Sequence, residues 1–356
     1  MSLKLLVMKR MGALISTETP FIENFLGVFK AFSKMGLGSM ENLRKALPVV
    51  SINGLGHHIG HDVMLELDKM TSVRAYKLRP SGKACDVIAC DTSVIKLAEG
   101  PFGYLAALRG SVVRRKKSGG IESWIIGPLI FFVSFDDNLP LLSFMSELVD
   151  GQPLSEDFET IHRSISSLLE KWLQRSLAST FSDSILLFDG SLTAGPADNS
   201  LQLIRETLNE AERNGNVVLA FSKSTHLSYL GTRITSLVPD MDPPCVIDVS
   251  DAVCSSPKIH KLGRILVSHL SRTFFPYRLD VSGKEIGDVL QIIGNLLSSD
   301  ALIYGYPETL LLAHNYCTFN KLDVLALQKL LKQEFNIDAF NIGDVRSSLF
   351  NPLDGH

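Results

Sequence analysis

The sequence predicts a mixed α/β fold in which one sheet is flanked by helices, and three observations carry the prediction. First, apolar, β-rich runs at Asp86–Cys90, Tyr104–Arg114 and Ser123–Ser134 are separated by short connections, one of them the charged turn Arg114–Gly120 (RRKKSGG). Short links between such runs read as an antiparallel meander. Second, Ser155–Ser179 keeps helical period through Ile161, Ile165, Leu168, Leu169 and Trp172. Third, the apolar runs Ser184–Asp189 and Asn216–Ser222 bracket a helix over Asn199–Asn214. The element order is therefore β-β-β-α-β-α-β.

The flanks read differently. Residues 1–80 form a helical N-terminal arm, and residues 81–350 the main domain. Within 20–47, Phe21, Phe25, Phe29 and Phe32 recur at helical spacing before Gly36–Gly38 breaks the pattern. Such a stripe serves as core or as a dimer contact. The segment INGLGHHIGHD has the glycine spacing GxGxxxG, which is not the dinucleotide fingerprint, and no P-loop Lys-Ser/Thr follows. His57 and His61 stand four apart but lack a third ligand and a catalytic Glu in register, so a loop or capping role is expected there. Near the C-terminus Gly305–Pro307 makes a turn, Pro307 suits the first turn of a helix, and Glu308–Cys317 reads as that helix.

Composition sets the outer bounds. The 356 residues are 45% hydrophobic and 21% charged, which is globular usage with ample core. A net charge of −3 excludes a uniformly basic nucleic-acid surface and leaves room for a local basic stripe. Five cysteines without a CxxC pair argue against a disulfide framework or a zinc ribbon and for a reducing compartment. Neither a signal peptide nor an apolar run long enough to span a bilayer is found, so a cytoplasmic protein with no membrane association is expected.

The β-β-β-α-β-α-β order is that of the RNase H-like fold, in which the first and fourth strands lie side by side and parallel. Asp91 and Asp189 fall at the carboxyl ends of those two strands, where open α/β sheets bind ligands. A carboxylate at the end of a buried strand is costly unless paired or bound to a cation. Two-metal phosphodiester cleavage needs such oxygen ligands to hold Mg²⁺ or Mn²⁺. RNase H-like nucleases take a third carboxylate from the helix after strand three. Glu170 is the candidate, although it lies opposite the apolar stripe of its helix, and Glu159 is the fallback. His314 stands two helical turns beyond Tyr306 and could ligate metal or move a proton, while the Tyr306 hydroxyl could position water or phosphate. Lys223 and Arg233, after the fifth strand, and Arg114 and Arg115 in the charged turn are candidates for contact with nucleic-acid backbone. Phe274, Phe275 and Tyr277 could stack on bases or serve the core.

The segments IACDTS, LLFDGSL, LAFSKST, FFPYRLDV and GYPETLLLAH resemble the NurA nucleases over residues 80–345. The resemblance implies a Mn²⁺-dependent (or Mg²⁺-dependent) DNA nuclease, a 5′-to-3′ exonuclease and single-strand endonuclease of DNA end resection in double-strand break repair. It also implies a homodimer and a hexameric HerA-type ATPase as partner. By the same resemblance Asp91 and Asp189 match the metal aspartates, Glu170 the helix glutamate, and Tyr306 and His314 the C-terminal pair. The first motif reads Asp-Thr-Ser here where the family commonly has Asp-Gly-Ser. Two other classes fit parts of the pattern. An actin-like ATPase or sugar kinase would use CDTS and FDGSL for phosphates but gives GYPETLLLAH no role. A non-catalytic RNase H-like partner of a translocase would need none of the retained acids.

Overall fold

The long hairpin toward one edge of the main sheet starts where the sequence predicts and runs further. The computed structural model describes residues 73–100, 103–134, 158–194, 201–223, 225, 227–229, 232–236, 241–253, 260–272, 276–283 and 285–335, with Glu23 and Leu26. Nine strands share one sheet: β1 (Arg74–Lys77), β2 (Asp86–Gly100), β3 (Gly103–Arg115), β4 (Ile121–Ser134), β5 (Ser184–Asp189), β6 (Val217–Ser222), β7 (Cys245–Asp248), β8 (Arg264–His269) and β9 (Tyr277–Val281). Their order across the sheet is β1-β7-β8-β9-β6-β5-β2-β3-β4. The expected β-β-β-α-β-α-β core lies inside it, with β2 parallel to β5 and β5 parallel to β6. Strand β1 precedes the boundary placed at residue 80 and pairs with β7 in the same sheet. The four Phe residues of the N-terminal stripe lie outside the described residues.

One expectation about β2 is corrected. Asp91 does not end the strand, which continues to Gly100 and pairs with β3 from Val87–Arg115 to Gly100–Gly103. The polar trio Asp91-Thr92-Ser93 reads locally as a stop. It stays extended because β3 supplies a hydrogen-bonding partner along the whole hairpin. What does stop near Asp91 is the pairing with β5, whose last register pair is Ala89–Leu187.

Helices cover both faces. Helices α1 (Phe158–Thr180) and α2 (Leu201–Arg213) lie on one side, where Leu169, Leu173 and Leu177 meet Ile88, Leu186 and Phe188. Helices α3 (Ile286–Ser299) and α4 (Glu308–Cys317) lie on the other, where Val289, Ile293 and Leu310 meet Val87, Ile185 and Leu187. The alternation along β2 and β5 is the two-residue period of a strand buried on both faces. A last helix, α5 (Lys321–Phe335), sets Leu327 and Leu331 against Leu97, Leu105 and Ile130 of the hairpin extension. Each aliphatic side chain fully buried in these layers stabilises the fold by about 1.5–3 kcal/mol. No described helix is long and apolar enough to cross a membrane.

Candidate metal centre

The site forms where β2 and β5 part. Carrying their parallel register two residues beyond Ala89–Leu187 sets Asp91 opposite Asp189. By strand alternation both continue the face of Val87, Ala89, Ile185 and Leu187, toward α3 and α4. Asp91 is 7% exposed, and both its oxygens are engaged. Oδ1 accepts the Thr92 backbone N–H at 2.7 Å, and Oδ2 lies 2.7 Å from His314 Nδ1. The Asp189 carboxylate takes the Lys223 ammonium at 2.8 Å, and both side chains remain open to solvent.

Glu170 arrives from the opposite layer, and here the sequence reading is corrected. Helix α1 is enclosed around most of its circumference, with Leu168, Leu169, Trp172, Leu173, Gln174, Ser176 and Leu177 all buried. A position opposite its main stripe is therefore still half-buried. Burial raises the Glu170 pKa to about 7; Lys171 opposes the rise, and Asp91 and Asp189 add to it. That mutual repulsion places Glu170 in the electrostatic field of the two aspartates. The Glu170 Oε1 accepts a hydrogen bond at 2.8 Å from Gln174 Nε2, a residue that no pattern in the sequence marks. Only the backbone of Glu159 is described, in the first turn of α1.

Helix α4 brings the C-terminal pair. Gly305 has φ +83°, a conformation open to glycine, and turns the chain into Tyr306. Pro307 takes the N-cap rather than the first helical turn. Tyr306 is 5% exposed, edge-on to Phe221 (5.8 Å between centroids) and Tyr277 (5.5 Å), with Lys223 Nζ 5.3 Å from its ring centre. Its hydroxyl is buried and has no hydrogen-bond partner among the described residues. His314 is half exposed. Two anchors fix α4. Ser111, paired across the hairpin with Asp91, donates from Oγ to the Ala313 carbonyl at 2.5 Å. Asp300 accepts the Thr309 hydroxyl and amide and the Arg115 Nε. Neither Ser111 nor Asp300 carried any signal in the sequence.

Second-layer bonds also hold the chain after Asp189. Gly190 (φ +108°) donates its N–H to Phe221 O and accepts from Ser222 Oγ. Asp280, 1% exposed, accepts the Leu192 N–H and a bidentate pair from Arg278.

The basic residues divide. Lys223 lies within the centre. Arg114 is paired with Asp86 and Glu122, and Arg115 with Asp300 and Glu308, so both charges are already met inside the protein. Arg233 is exposed in the short strand Thr232–Arg233. Tyr277 packs on Tyr306, while Phe274, Phe275, His57 and His61 lie outside the described residues.

The donor set fits a divalent cation. Two carboxylates that raise the pKa of a third, a lysine ammonium drawn onto one of them and a buried hydroxyl without a partner among the described residues suit a site for a hard cation and its water. Asp91, Asp189 and Glu170 would hold it, with His314 at the rim.

Comparison with solved structures gives loose overlaps. A crystal structure of NurA with manganese superposes with TM-score 0.45 at 9% identity, covering 73% of this chain and 90% of that one. An Argonaute from Aquifex aeolicus gives 0.23 at 12%, over 67% and 26% of the two chains. The Kluyveromyces polysporus Argonaute with a guide RNA gives 0.26 at 13%, over 65% and 26%. No protein with a curated description matches. The NurA domain model matches residues 85–318, more than half of the 356. That span takes in Asp91, Glu170, Asp189, Lys223, Tyr306 and His314, and the chain belongs to the NurA domain family.

Proposed function

We propose that this chain is a metal-dependent DNA nuclease with an RNase H-like core, acting as a 5′-to-3′ exonuclease and single-strand endonuclease in end resection. Membership in a nuclease family supports a hydrolase acting on nucleic acid. The observation that carries the reading is the register of β2 and β5, which sets Asp91 opposite Asp189 where the strands separate, within reach of Glu170's field. A Mn²⁺ or Mg²⁺ bound by these acids would lower the pKa of the attacking water and stabilise the leaving oxygen. The protein's own groups do the rest. Ionised Asp91 accepts Nδ1–H of His314, which leaves Nε2 to take a proton from water or return one to the leaving oxygen. Lys223 is assigned to the scissile phosphate, and the Tyr306 hydroxyl, which has no partner among the described residues, to the attacking water. The protein acts in the cytoplasm as a homodimer.

With a net charge of −3, few phosphates can be neutralised, so the free protein holds DNA weakly. A HerA-type ring translocase would supply both affinity and direction. The test is digestion of linear duplex at ~150 mM salt with Mn²⁺, with Mg²⁺ or with chelator, each with and without the cognate ATPase. Slow metal-dependent digestion alone and much faster digestion with the ATPase are expected. No digestion with either cation under any condition would overturn the assignment.

A further inference from the structure

Cys317 ends α4 one turn beyond His314, and its thiol, which the nuclease reading does not use, completes a second ligand set with Asp91 and His314. The Asp91 carboxylate, a His314 ring nitrogen and Cys317 Sγ all lie within 4.8 Å of one another. We propose that these three side chains form a site for Zn²⁺, overlapping the catalytic metal centre and switching it off when filled.

The chemistry separates the two sets. Asp91, Asp189 and Glu170 offer oxygen alone, which suits Mn²⁺ or Mg²⁺. A thiolate, an imidazole and a carboxylate with a fourth position open to solvent suit tetrahedral zinc. Zinc takes sulfur at about 2.3 Å and nitrogen or oxygen at about 2.0–2.2 Å, so its ligand atoms stand roughly 3.3–3.6 Å apart. Ligands already within 4.8 Å of one another reach that geometry by small side-chain rotations. The two helical ligands are held in place. Ser111 fastens Ala313 O, Thr318 donates its N–H and hydroxyl to His314 O, and the thiol's own bond to that carbonyl is a weak one at 3.3 Å. Binding replaces the thiol proton, which leaves to solvent. Because Asp91 and His314 would serve both sites, zinc and the catalytic cation exclude each other. The binding stands by itself; the switching rests on the nuclease reading.

Cobalt(II) tests the site directly, since thiolate-bound Co²⁺ absorbs in the near ultraviolet. The full chain titrated with Co²⁺ should develop that band, and Zn²⁺ should bleach it. Cys317→Ser and Cys317→Ala, each checked for a native circular dichroism spectrum, should lose the band, whereas Glu170→Gln and Asp189→Asn should keep it. In Mn²⁺-supported cleavage, Cys317→Ser should match wild type without zinc and need at least ~10-fold more Zn²⁺ for half inhibition. A band in wild type without any Mn²⁺-dependent cleavage would leave the zinc site standing and remove the nuclease reading. No band in wild type, or a band unchanged in both Cys317 variants, would overturn the site.

Discussion

Arg115 separates two roles for the basic turn, and its replacement by Met tests them. Methionine keeps most of the length and removes the guanidinium. Asp300, whose side chain has no exposed surface, would lose the Arg115 Nε bond at 2.8 Å. It would keep the Thr309 hydroxyl at 2.8 Å and amide at 3.2 Å. Opening a buried ion pair from one side costs about 3–5 kcal/mol, because the remaining charge is left uncompensated. The Glu308 arm of the same guanidinium is 30% exposed and adds no more than about 1 kcal/mol. Burial raises the Asp300 pKa, while Thr309 and Arg115 pull it down. Without Arg115 it rises further. The folded variant then keeps a proton on Asp300 over a pH range in which the unfolded chain has lost it. Its stability falls as pH rises through that range, so the deficit against wild type is greatest at neutral pH and shrinks on acidification. Urea unfolding followed by tryptophan fluorescence at neutral and acid pH measures this, alongside DNA binding at several salt concentrations. The reasoning is refuted if Arg115→Met unfolds within about 0.5 kcal/mol of wild type and the salt slope of binding drops by about one.

Two further substitutions probe the centre. Lys223→Met should change stability by less than about 1 kcal/mol, because its pair with Asp189 is open to solvent. It should slow cleavage and lower the salt slope of DNA binding by about one; an unchanged slope with full activity would remove Lys223 from the phosphate. Ser111→Ala should cost about 1 kcal/mol in thermal or urea unfolding, and kcat should fall while KM holds, since the bond to Ala313 O sets where His314 meets Asp91. Full kcat in a folded Ser111→Ala protein would show that His314 needs no such anchor.

Much of the architecture was legible because it is written in local pattern. Ser184–Asp189 is found residue for residue, since a six-residue apolar run with turn-forming neighbours leaves little choice. The helix Glu308–Cys317 is found for the same reason, behind Gly305 and Pro307. What local pattern misses comes from distant partners. Strand β2 runs past Asp91 because β3 pairs with it, and Asp91-Thr92-Ser93 carries no sign of that. Strands β7, β8 and β9 (CVID, RILVSH, YRLDV) are short and each carries charged residues or His, so no continuous apolar run marks them. Glu170 reads as surface only if α1 has one buried face, and α1 is packed between the sheet and α2. The pairs Arg115–Asp300 and Lys223–Asp189 join residues far apart in sequence, so two basic residues that look alike on paper hold different places. For Cys317 a signal did exist, its three-residue spacing from His314 on one helix face.

The central claim is that Asp91 and Asp189 together hold the catalytic cation, and Mn²⁺ binding measured by calorimetry on wild type, Asp91→Asn and Asp189→Asn, paired with cleavage of the same samples, tests it most directly. Both variants should fold, since removing one of several clustered carboxylates relieves repulsion, and both should lose Mn²⁺ binding and DNA cleavage together. Wild-type binding and cleavage in either folded variant would contradict the claim.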